Sequence, residues 1–249
     1  MSASNRQVGI DINVVIKSNR VMRRYENLQY GDAKAIRKSL DTLADKTTGV
    51  EAYRSAFEML GVELGRALAQ RMDDIPAEEI MLVCASEDAD WLAKGVEKGL
   101  GKGELPVSVY WSTRSTVYQS EDGGKIEISP IVKAYEEPIA KCRLLIIVKS
   151  IISSSCVVKT QLTRLIDRIN PEVIVIMAPV MYKDAQPNLL KEFPEEISSK
   201  FRFLQFAVDE DRQGSEVIPG IGGMVYPRLG LGDIDKKNQY IPQMVRMRM

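Results

Sequence analysis

Five short apolar runs decide what this chain can fold into: Ile80 to Cys84, Val107 to Trp111, Leu144 to Val148, Val173 to Ala178 and Phe203 to Val208. Runs such as LLIIV and VIVIMA carry no polar alternation. A strand with one wet face alternates apolar and polar residues, so these strands must be covered on both faces. Helical patterns fill the intervals. From Thr47 to Met72, Val50, Tyr53, Phe57, Leu60, Leu64, Ala67 and Leu68 recur at three- and four-residue steps, with Thr47 or Thr48 as the expected N-cap. Further helices are expected over Ala89 to Gly99, Val157 to Ile169 and Lys183 to Glu192. Strand and helix in alternation predict an α/β fold: a mainly parallel open sheet with flanking helices in one domain over residues 1–249. Between Trp111 and Pro138 the pattern weakens around SEDGG, which predicts a protruding β-arm over 111–138.

Composition removes several chemistries. The chain has no histidine, so His-based triads, His metal sites and an imidazole switch are excluded. Its three cysteines, Cys84, Cys142 and Cys156, form no CxxC pair, which points away from a disulfide framework or a zinc site and toward a reduced, cytoplasmic setting. Lys plus Arg equal Asp plus Glu at 34 each, so net charge gives no pull toward nucleic acid or membrane. A local basic patch at Arg20, Arg23 and Arg24 is the exception to look for. Charges interrupt the apolar part of the N-terminus, unlike a signal peptide, and no uncharged apolar run approaches a membrane span.

In an open parallel sheet, ligands bind beyond the carboxyl ends of the strands. The loop KSIISSSC runs from a strand into a helix. Lys149, Ser150, Ser153, Ser154, Ser155 and Cys156 could face a phosphate there, and the serines could equally cap the helix and fill a turn. The segment VIPGIGGMVYPRLGLGD could present main-chain donors and acceptors of Val217, Ile218, Gly220, Gly222, Gly223 and Met224 to a flat base; a plain irregular loop is the other reading. It does not have the GxGxxG spacing of a dinucleotide turn. Glu87, Asp88 and Asp90 after the first run, and Asp209 to Asp211 after the last, could hold Mg²⁺ or take a proton, or simply start a helix favourably.

The order of these segments resembles the uracil phosphoribosyltransferase family over Asp32 to Leu231. IMLVCASEDADWLAKGV is similar to a family segment with Arg-Ala-Gly after its strand. VYWSTRSTV lies where a Tyr-Arg segment opens the family's arm. LLIIVKSIISSSCVV lies at the phosphoribosyl-diphosphate loop, and VIPGIGGMVYPRLG resembles the uracil-binding Pro-Gly-Leu-Gly-Asp-Ala-Gly. The resemblance implies a type I phosphoribosyltransferase fold with a C-terminal hood segment. It also implies an N-terminal extension over 1–31, a C-terminal extension over 232–249, and a homodimer or higher even-numbered oligomer paired through the arm.

The departures fall at the chemical positions. Glu87 stands at the family Arg, Val148 or Lys149 at the loop Asp, and Ser153, Ser154 and Ser155 at Thr-Gly-Gly. Gly223 stands at the uracil-segment Asp, and Trp111 at the arm Arg, with Arg114 nearby. Phosphoribosyl transfer stabilises a diphosphate leaving group with cations and Mg²⁺. The expectation is therefore a phosphoribosyltransferase-like protein impaired in catalysis, binding a nucleotide or base or acting through protein partners. The alternative is an active transferase with a remodelled site that uses Mg²⁺. No other cofactor is expected.

Overall fold

The computed structural model describes residues 22–249 apart from 73, 114, 120–124, 234–235 and 237. Arg20, Arg114 and most of the N-terminal extension lie outside the described residues.

The chain opens with strand β1 (Arg23–Tyr25) and helices α1 (Ala33–Ala44) and α2 (Val50–Ala69). Next come β2 (Ile80–Ala85), a π-helical turn over Ala89–Ala93, and α3 (Lys94–Leu100). Four strands follow: β3 (Val107–Ser112), β4 (Ser115–Gln119), β5 (Lys125–Ile128) and β6 (Ile131–Glu136). The second half holds β7 (Leu144–Val148), β8 (Ile151–Ile152), α4 (Cys156–Ile169), β9 (Val173–Tyr182), α5 (Ala185–Lys191) and α6 (Glu195–Ser198). It ends with β10 (Phe201–Asp209), β11 (Asp211–Gln213), β12 (Glu216–Ile218), α7 (Val225–Arg228) and α8 (Gln243–Arg246).

The main sheet has the order β1-β10-β9-β7-β2-β3-β6, with β8 also against β9. The pairs from β10 through β3 are parallel, and the two edges, β1 on β10 and β6 on β3, are antiparallel. This is the mainly parallel open sheet with flanking helices that the apolar runs predict. Each run becomes a strand because both of its faces are dry. Along β2, Ile80, Leu82 and Cys84 enter one core with α1, α2 and α3, whereas Met81 and Val83 enter a second core with α4 and α5. Burying one such aliphatic side chain is worth roughly 1.5–3 kcal/mol, and β2 and β7 are buried at every position.

Two expectations change in detail. The N-cap of α2 is Gly49, because the Thr48 hydroxyl turns back to donate to the Thr42 carbonyl at 2.8 Å. The free-standing part of the arm is narrower than 111–138, since β3 and β6 belong to the main sheet and only the β4–β5 pair forms a separate hairpin. The helix pair α2–α3 is set by glycine. A Cβ on Gly61 would sit 2.3 Å from the Leu92 carbonyl oxygen, so only glycine lets the backbones meet there. That close fit fixes the π-helical turn, and with it the loop carrying Glu87 and Asp88.

Candidate functional site at the carboxyl edge of the sheet

The candidate residues converge where β2, β7, β9 and β10 end. Register places Cys84 beside Val148, so the residues that follow the two strands, Ser86 to Asp88 and Lys149 to Ser150, leave the sheet close together. Their charges satisfy one another. Lys149 Nζ donates to Asp88 Oδ2 at 2.6 Å and to Glu87 Oε1 at 3.4 Å, and the Ser150 amide donates to Asp88 Oδ1 at 3.2 Å. The cluster is closed to water: side-chain exposure is 11% for Lys149, 9% for Glu87 and 0% for Asp88. Burial pushes the Asp88 carboxyl above the usual range, partly opposed by Lys149. Burial alone would lower the Lys149 ammonium, yet the two carboxylates hold it above its ordinary value. Lys149 is thus placed among carboxylates rather than facing outward. Mg²⁺, which phosphoribosyl transfer would require, needs open carboxylate oxygens at this edge. Asp88 commits one oxygen to Lys149 and the other to Ser150, so the residues as placed do not fit that ion. Among the described residues there is no group of three or more Cys, Asp or Glu that could hold a metal.

Asp209 is equally committed. Arg23 donates to its two oxygens at 2.7 and 2.8 Å, and the Gly220 amide donates to Oδ2 at 2.8 Å. Arg23 also donates to the Gly220 carbonyl at 2.6 Å. Arg23 therefore serves as a buried clamp and does not belong to a surface basic patch.

This clamp shapes the glycine segment. The Tyr53 hydroxyl donates to the Ile221 carbonyl at 2.7 Å, and Gly222 lies at φ +73 with the Leu43 carbonyl oxygen 2.4 Å from where a Cβ would stand. Val217, Gly220 and Gly222 are buried, Ile218 and Gly223 half-buried, and Met224 is 57% exposed. The segment is a pinned loop, with Gly223 and Met224 at its accessible end.

The serine loop divides. Ser150 is buried, Ser153 and Ser154 are half-buried, and the Ser155 hydroxyl donates to Glu192. Cys156 opens α4, with its Sγ 3.3 Å from Ser129 Oγ. Ser153, Ser154 and Ser155 line a cleft of about 440 Å³ with Tyr182, Lys191 and Arg212. Sequence reasoning missed Tyr182, Lys191 and Arg212. Arg212 sits in a short hairpin, and nothing in DRQGSE marks it as facing a loop some 60 residues earlier.

Asp90, a metal candidate from its position, holds the C-terminal strap instead. It accepts from the Tyr240 hydroxyl, from the Gln243 amide at 2.8 Å and from the Met244 amide at 2.9 Å. Trp111 Nε1 donates to the Tyr240 carbonyl at 2.6 Å, and Arg248 reaches Glu97 at 3.0 Å and Glu137 at 2.8 Å. The described part of the C-terminal segment thus runs from Asp90 and the end of β3 at Trp111 to just before the start of that strand, where Arg248 donates to the Leu105 carbonyl at 2.8 Å. Among the described residues no helix is long and apolar enough to cross a membrane.

No protein-family model matches the sequence, and no curated protein matches it. Solved structures do. The chain is similar to the AQ2163 protein from Aquifex aeolicus, at 15% identity over 80% of this chain and 95% of that one, with a TM-score of 0.62. That likeness shows a shared fold. A hypothetical protein from Neisseria gonorrhoeae with bound ppGpp matches at 11% identity over 78% of this chain and 93% of that one, with a TM-score of 0.42. The adenine phosphoribosyltransferase from Leishmania tarentolae matches at 12% identity over 67% and 76%, with a TM-score of 0.40. The structural neighbours therefore include phosphoribosyltransferases, at overlaps too loose to carry an assignment of activity.

Proposed function

We propose that the chain is a phosphoribosyltransferase-like protein, related to the uracil-specific branch, in which base-to-ribose transfer is lost. On this reading it acts by binding a nucleotide or base, or through protein partners, as a homodimer. One observation carries the reading: the Lys149 ammonium is held between Asp88 and Glu87 in a buried cluster at the strand ends. Transfer needs cations on the diphosphate and open carboxylates for its metal and the ribose. Here the cation and the carboxylates are spent on each other, and the strap held by Asp90 and Trp111 runs beside them. The pinned glycine loop supports a binding role, since its shape is maintained by a buried ion pair and a tyrosine hydroxyl.

Incubation of purified protein with radiolabelled uracil, phosphoribosyl diphosphate and Mg²⁺ tests this. The expected result is no UMP above the no-protein control. Turnover that persists through purification and disappears in a Lys149 or Ser154 variant would instead establish an active, remodelled transferase.

A further inference from the structure

The C-terminal strap ends in a socket shaped for a guanidinium. Arg248 Nη1 donates to Glu137 Oε2 and to the Leu105 carbonyl, each at 2.8 Å, and Nη2 donates to Glu97 Oε1 at 3.0 Å. The contact is shielded from water, with side-chain exposure of 10% for Arg248 and 4% for Glu97. Reaching two carboxylates and a carbonyl at once uses the planar fork of arginine, which a lysine could not match.

The socket stays satisfied without its arginine. Glu97 Oε1 also accepts from the Leu105 amide at 3.0 Å, and Oε2 accepts from Lys94 at 2.6 Å. Glu137 Oε2 also accepts from the Val107 amide at 2.9 Å, and Oε1 accepts from the Tyr135 hydroxyl at 2.9 Å. All four carboxylate oxygens therefore keep a donor when Arg248 leaves. The Lys149 cluster is the opposite case, because its lysine cannot go without stranding the fully buried Asp88. At the other end of the strap, Asp90 accepts from the Tyr240 hydroxyl and from the amides of Gln243 and Met244. It is only half-buried, so water can take those places. Of residues 240–249, Pro242, Met244 and Val245 are buried, whereas Met247 is 73% and Met249 89% exposed. A segment at a chain end with few buried side chains can open without the rest of the fold.

We propose that Tyr240 to Met249 form a latch that opens while the sheet stays folded, with Arg248 as the residue that locks it. Closed, the latch occupies the Asp90 carboxylate and the Trp111 indole N–H, which donates to the Tyr240 carbonyl at 2.6 Å. Open, it presents both groups at the edge that also carries Glu87 and Asp88. The strap is thus an autoinhibitory cover over part of the strand-end surface. This holds whether the chain acts on a nucleotide, a base or a protein partner.

Hydrogen exchange of the full chain, read by mass spectrometry with β7 as the internal reference, tests the latch. In the wild type, strap amides including Gln243 and Met244 should be less protected than those of β7, since they open without global unfolding. Arg248→Gln should lower strap protection by a further factor of about ten or more, the loss of a charge-assisted contact, and leave β7 unchanged. Arg246→Gln, which removes an exposed cation from α8, should change neither. Acrylamide quenching gives a second readout. The chain has two tryptophans, so in a Trp91→Phe background the emission is that of Trp111, and Arg248→Gln should raise its quenching. Equal protection of strap and β7 in the wild type would make the strap part of the cooperative core and overturn the latch. Strap protection that is unchanged in Arg248→Gln, or lost equally in β7, would overturn it too. An equal effect of Arg246→Gln would assign the change to net charge and remove Arg248 as the lock, and unchanged quenching would overturn the uncovering of Trp111.

Discussion

Replacing Lys149 with methionine keeps most of the volume and removes the charge. The structure sets the size of the effect. Asp88, fully buried, would lose its 2.6 Å ammonium partner and keep only the Ser150 amide, and Glu87 would lose a 3.4 Å contact. Removing one member of a buried ion pair strands the other and typically costs about 3–5 kcal/mol. For a chain of this length that corresponds to a fall in Tm of roughly 6–20 °C. The cost should also depend on pH. Asp88 already lies above its ordinary value because of burial, and losing Lys149 raises it further. The folded variant then binds a proton more readily than its unfolded chain, so its stability grows as pH falls below the folded-state value. Urea unfolding of wild type and Lys149→Met at pH 7 and pH 5 should show a large gap at the higher pH and a smaller one at the lower. Adding Asp88→Asn to the variant should recover a good part of the loss, because the stranded charge is then gone. A single-variant cost below about 1 kcal/mol, the range of an exposed pair, with no pH dependence would show that the cluster is open to water and the reasoning wrong.

Gly222→Ala should cost roughly 1–3 kcal/mol in thermal or chemical unfolding, because alanine is strained at φ +73 and its Cβ would meet the Leu43 carbonyl oxygen at 2.4 Å. An unchanged Tm would mean that the loop can move away from α1 at little cost. Light scattering at micromolar concentration should give twice the chain mass, since the β4–β5 hairpin leaves Tyr118 57% and Ile128 41% exposed and a lone two-stranded hairpin is marginal in water. A monomer would remove pairing through the arm.

The parts of the fold that the sequence made legible are those governed by burial on both faces. β7 spans the same residues as its apolar run, and β2 and β3 extend theirs by one residue each. Such strands need no help from distant residues to be recognised, since their composition alone forbids a wet face. β9 and β10 ran longer than their runs, to Tyr182 and back to Phe201, because parallel pairing between them carries the ladder past the apolar stretch. The arm was less legible. Ile131 to Glu136 is exposed at several positions and reads as a free hairpin leg, yet its backbone pairs with β3. Edge strands are held by one ladder and need not be apolar, so periodicity could not place it.

Charged residues at the strand ends were the least legible, and for one physical reason. A carboxylate after a strand has the same sequence appearance whether it binds a metal, starts a helix, holds a backbone loop or meets a lysine. Asp88, Asp90 and Asp209 take three different roles here: partner of Lys149, anchor of the C-terminal strap and clamp on Gly220. Each partner lies more than 10 residues away, at a distance in sequence that no local pattern encodes. The same holds for Arg212, whose position over Tyr182 depends on β10 returning beside β9. What decides between a catalytic edge and a self-satisfied one is which of these charges is left without a partner. At the inner edge one ammonium, Lys149, lies between two carboxylates, Asp88 and Glu87, and both of its short contacts are made within that buried cluster.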